Sequence, residues 1–217
     1  MEIVTTYELR AFSTLYDWIL PDVRGFEKPL VDQKILEAAR EFCSTTRCWR
    51  ETLDPIITVA NEPQYEIEGL DQAALLEVVH AELDGMDITP ARAKDYRARE
   101  RAETGTPSSR LAFYGDVIVL HPTPTQSGSV VTVEAYLTPS NKATQLPSFV
   151  ADAYPETIAR GAKAYLYEMS SKPWSDPARA ERLMREFSLE CQQVAWVVAG
   201  SHQGARQRIP VVHKVVE

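Results

Sequence analysis

Four histidines, three cysteines and a dense run of carboxylates are the side chains of this sequence able to do chemistry. His80, His121, His202 and His213 are scattered along the chain, two of them near its carboxyl end. A nucleophilic cysteine needs a base beside it, and no spacing here announces such a pair. Cys43 and Cys48 lie five apart on what reads as one helix, facing different ways and too distant to bridge, while Cys191 lies on another apolar stripe. Three unpaired thiols suit a reducing cytoplasm and the role of buried helix residues. Glu77, Glu82, Asp84 and Asp87 supply oxygens, but the run lacks the alternating Asp/Asn ligands and the closing Glu of a calcium loop. G-x-S-x-G, H-E-x-x-H, the phosphate loop and the dinucleotide fingerprint are all missing. The expectation is a protein that is not an enzyme, with no catalytic residue, no cofactor and no metal site.

The charge pattern says more than these candidates. Between Glu51 and Ala91 there are ten acidic residues and no Lys or Arg, so with the total at −8 the rest of the chain carries +2. Immediately after this run, "ARAKDYRARERAE" brings Arg92, Lys94, Arg97, Arg99 and Arg101 together. An acidic net charge argues against nonspecific nucleic-acid binding, which needs clustered cations. An acidic surface next to a basic one instead suits contacts between copies. On that reading Glu77, Glu82, Asp84, Asp87 and the five cations are candidates for inter-subunit charge contacts. The start of the chain has no basic-then-apolar leader, and no stretch approaches the roughly 18 apolar residues of a membrane span. A soluble, unprocessed chain with no membrane partner is expected.

The elements that must position these residues fall into three groups. "TTYELRAFSTLYDWILP" has Leu9, Phe12, Tyr16 and Ile19 in steps of three and four, which predicts a first helix ending at Pro21. Pro29 opens a second helix with Val31, Ile35, Ala38 and Phe42 on one stripe, running to about Trp49. From "LDPIITVANEPQ" onward, β-branched residues and turn signals predict strands, including ones around Ala112, Val117 to Leu120 and Val130 to Leu137. "ALLEVVHAELDGMDITP" fits strand or helix, with Val78, Val79 and Asp84-Gly85 favouring a strand pair. Helical spacing then returns in "LPSFVADAYPETIARGAKAYLYEM", with a kink or restart at Pro155. A last helix is expected from Asp176-Pro177 along Ala180, Leu183, Phe187, Cys191, Val194 and Val198.

The predicted fold class is therefore α+β: an antiparallel helical bundle body with a β-rich insertion domain and an extended C-terminal arm. The expected divisions are 1–54 for the first half of the body, 55–145 for the insertion, 146–200 for the second half and 201–217 for the arm.

"LYDWILPDV", "ILEAAREFCSTTRCWRETLDPI", "VIVLHPTP" and "LPSFVADAYPETIARGAKAYLYEMSSKPWSDP", in that order, resemble the head-to-tail adaptor proteins of tailed bacteriophages and the connectors of short-tailed phages. The segment 71–104, acidic and then basic, departs from the family pattern. The resemblance implies a structural virion protein at the neck, assembled in the host bacterial cytoplasm. It implies a ring of about twelve copies beneath the portal protein, contacting a downstream neck or tail protein. Double-stranded DNA would pass through the channel without specific binding, and an acidic lumen would repel its phosphates.

The closing stretch "GARQRIPVVHKVVE" fits this picture, because its β-branched residues need an edge to pair with. Arg206, Arg208, Ile209, Val211, Val212 and Val215 are the candidate docking arm for the portal or a neighbouring copy. The alternative is a cytoplasmic acidic interaction or regulatory module that binds a basic partner.

Overall fold

A computed structural model describes residues 8–22, 27–91, 110–170 and 172–203 of the chain. The expected first helix is replaced by three short pieces: strand β1 (Leu9–Ala11), a 3-10 turn (Phe12–Leu15) and the single-turn α1 (Tyr16–Ile19). Tertiary pairing overrides the helical spacing, since β1 runs antiparallel to β11 (Gln145–Pro147) with Leu9 opposite Pro147. The spacing still buries Phe12, Leu15 and Ile19, which the short turns carry.

Helix α2 (Lys28–Thr46) follows the predicted stripe: Val31, Ile35, Ala38 and Phe42 are all fully buried. It stops three residues before Trp49 because Arg47 takes a left-handed conformation, φ 52°, and its N–H closes on the Cys43 carbonyl. The Thr46 hydroxyl donates to the Phe42 carbonyl at 2.8 Å, tying off the last turn. Trp49 is buried just beyond, and its carbonyl accepts the Leu137 N–H.

Nine strands separate α2 from β11 among the described residues: β2 (Arg50–Thr52), β3 (Ile56–Ile57), β4 (Gln64–Glu66), β5 (Ala73–Leu83), β6 (Met86–Asp87), β7 (Thr89–Ala91), β8 (Arg110–Tyr114), β9 (Val117–His121) and β10 (Val130–Pro139). One sheet has the order β2-β10-β5-β6, with β3 also paired to β10. The other has the order β4-β9-β8-β7, and its β7–β8 pair is parallel. The expected strand pair at Asp84-Gly85 forms, with both residues at positive φ in the turn from β5 to β6.

Strand β5 carries two bulges against β10. The partner of Glu134 is His80 and that of Ala135 is Val78, which leaves Val79 unmatched; Tyr136 and Leu137 face Glu77 and Leu75, which leaves Leu76 unmatched. Each extra residue switches the parity of the strand. The residues turned to the core are therefore Ala73, Leu75, Val78, Ala81 and Leu83, in steps of two and three.

After β11 come α3 (Ser148–Ala151), α4 (Pro155–Glu168) and α5 (Pro177–Gln203), so the chain restarts a helix at Pro155. Asp176 accepts the Arg179 N–H at 3.0 Å, the cap expected ahead of Pro177. Of the four helices anticipated for the body, α2, α4 and α5 are long and pack on one another, and the remaining position is held by the single turn of α1. The packing is closest at Gly161. A Cβ built there would stand 3.0 Å from Ala38 Cβ and 3.0 Å from two ring atoms of Phe187. One apolar cluster joins these helices to the sheets, taking in Phe42, Trp49, Leu137, Ile158 and Phe187.

Candidate functional site

Strand alternation turns one face of the β2-β10-β5-β6 sheet outward, and most of the acidic candidates lie there. Arg50 grips Glu134 with two bonds, Nε to Oε1 at 2.6 Å and Nη2 to Oε2 at 2.7 Å. On the next strand, His80 stands opposite Glu134 and turns its Nε2 to Glu82 Oε1 at 2.9 Å and to Asp87 Oδ1 at 3.6 Å. Glu82 and Asp87 are register partners across the β5–β6 hairpin. The Glu82 carboxylate, and beyond it Asp87, hold the His80 imidazole above its ordinary range.

The other two acidic candidates have partners within the chain. Glu77 meets Arg47 at 2.8 Å, and that guanidinium also lies over the Tyr136 ring. Asp84 accepts the Val130 N–H at 2.8 Å across the hairpin end, a bond that, with the Ser129 side chain, lowers its pKa. Beside it Ile57 and Val130, 65% and 40% exposed, pair across β3 and β10. Arg92, Lys94, Arg97, Arg99 and Arg101 lie outside the described residues, as do all six candidates of the docking arm, Arg206, Arg208, Ile209, Val211, Val212 and Val215.

The cysteines require a correction. Cys43 and Cys48 were expected on different faces of one helix, but the left-handed turn at Arg47 brings the Cys48 thiol back into a hydrogen bond with that of Cys43. That bond, together with burial, pushes the Cys43 thiol well above the ordinary range. Burial pushes Cys191 up to about 12, with Glu41 adding to the effect. These thiols are influenced by one another, by Thr46 and by Glu41, and among the described residues no histidine joins them. Cys43 and Cys191 are thus buried, protonated thiols, whereas hydrogen bonding from the Cys43 thiol, helped by Thr46, lowers the pKa of the part-buried Cys48.

A second surface escaped the sequence reading. On α5 the inward stripe runs through Ala180, Leu183, Phe187 and Cys191, while Leu189, Trp196 and Val197 point outward at 56%, 82% and 70% exposure. Their offsets of seven and eight residues put them on one face of the helix. Projecting α5 around Phe187 places Trp196 opposite the core, so the signal was present in the sequence. Next to Leu189 a groove of about 610 Å³ opens between α4 and α5, lined by Ala164, Ala180 and Met184 with Glu168, Glu181 and Arg185. Among the described residues no helix is long and apolar enough to cross a membrane.

Comparison with known proteins agrees with an interaction role. A family model described as SU10 adaptor protein matches residues 9–208. No curated protein matches the chain.

Proposed function

The chain belongs to the SU10 adaptor protein family, a phage adaptor family, and from that premise we propose that it is a ring-forming head-to-tail adaptor. In this reading the subunits bind beneath the portal, join capsid to tail and surround the path of the DNA. Residues 1–54 and 146–200 form the body of each subunit, 55–145 the insertion, and 201–217 the arm that docks on the portal or on a neighbouring copy.

The observation that carries the contact-making part of this reading is the outward stripe of α5. A tryptophan at 82% exposure, with Leu189 and Val197 on the same helix face, is an apolar surface that the described residues leave uncovered. Such aromatic anchors at the centre of an interface carry much of the binding energy. A ring needs two unlike but complementary surfaces on each subunit, and the apolar stripe of α5 is proposed as one of them. The acidic stretch from Glu51 to Ala91 adds a surface that repels phosphate.

The docking arm is tested by truncation. A chain ended after Gln207 is expected to keep its thermal midpoint and to lose co-elution with the portal. A truncated chain that binds the portal as well as the full one removes the arm from this account.

A further inference from the structure

His80, Glu82 and Asp87 bring one imidazole nitrogen and two carboxylate oxygens within 4.8 Å of one another. We propose that these three side chains form a binding site for a first-row divalent metal ion of the zinc type, with remaining positions open to water or to a donor from a second chain. Ligands around an ion with bonds of about 2.0–2.2 Å lie roughly 3–4 Å apart, and the two spacings from His80 Nε2 are 2.9 and 3.6 Å.

Charge and framework favour the ion. Glu82 and Asp87 oppose each other directly across a two-strand hairpin, an unfavourable placement for like charges. The neighbouring carboxylate, Glu134, is already neutralised by its two bonds to Arg50. Once the imidazole has given up its proton, it and the two carboxylates carry a net charge that a divalent cation balances. The tight turn at Asp84-Gly85 fixes β6 against β5, so the backbone positions that carry Glu82 and Asp87 are set side by side before the ion arrives. One imidazole among oxygens selects zinc, cobalt or nickel over calcium and magnesium, which take all-oxygen sets. This donor set also differs from the loop pattern on which the sequence predicted no metal, because its decisive ligand is a histidine two residues along a strand.

The test uses the untagged full-length chain titrated with cobalt(II) and followed by its visible absorption, then with zinc(II) as competitor. One cobalt per chain is expected, displaced by zinc. His80→Ala and Glu82→Gln should each weaken binding at least about tenfold, and Asp84→Asn, whose carboxylate accepts the Val130 N–H of β10, should bind as the parent does. Circular dichroism on each variant checks that the hairpin has kept its strand signal. Equal affinity in the parent and His80→Ala overturns the proposal. So does absence of a saturable cobalt spectrum, or a thiolate charge-transfer band that puts the ion on Cys48.

Discussion

Gly161 and Asp22 show how single residues hold the helices together. Helix propensity alone makes Gly161→Ala stabilising by about 1 kcal/mol. The 3.0 Å approach to Ala38 and to the buried Phe187 ring reverses the sign, and overpacking predicts a loss of about 1–3 kcal/mol, read as a lower urea midpoint. Asp22 receives Lys163 Nζ at 2.8 Å and Arg179 Nη2 at 3.1 Å, while its carbonyl accepts the Tyr167 hydroxyl. Hydrogen bonding from Lys163 is the main cause of its lowered pKa, opposed by burial and helped by Arg179. A lowered folded pKa contributes stability above the ordinary value of 3.8, lost as pH falls through the folded value. With the side chain 36% exposed, screening limits the effect. Asp22→Asn should therefore cost about 0.5–1 kcal/mol near neutral pH, and the gap between its urea midpoint and that of the parent should shrink as pH falls below the ordinary carboxylate range.

Strand β5 makes its point as an element. Deleting Val79 removes a bulge and flips the facing of every residue on one side of it, taking either Val78 or Ala81 out of the core. The deletion should abolish cooperative unfolding, whereas Val79→Thr, which keeps the bulge, should change stability by about 1 kcal/mol or less. The same bulges explain why this stretch read ambiguously. Core residues in steps of two and three match neither the period of a strand nor that of a helix, and bulges come from pairing with β10, which no local pattern encodes. Helices α2 and α5 were legible because their apolar stripes, Pro29 and the Asp176-Pro177 start are all local signals. The first helix misled because β1 is set by a partner 136 residues away, Gln145–Pro147. Cys43 and Cys48 misled because one left-handed residue, Arg47, ends the helix between them. The acidic run was visible, yet the meeting of His80 with Glu82 and Asp87 depends on the hairpin register.

For the whole molecule, the outward stripe of α5 separates folding from assembly. Trp196 is 82% exposed, so Trp196→Glu should leave the stability of the single chain within about 0.5 kcal/mol. A ring interface centred on this residue should lose affinity by about 2 kcal/mol or more, some thirtyfold. Native mass spectrometry of the full-length chain mixed with its portal, parent beside Trp196→Glu, tests the account most directly. The account predicts a stoichiometric ring of subunits on the portal for the parent, and its loss for the equally stable variant. A parent chain that stays unassembled with the portal present, or a variant that forms the same ring, would contradict it.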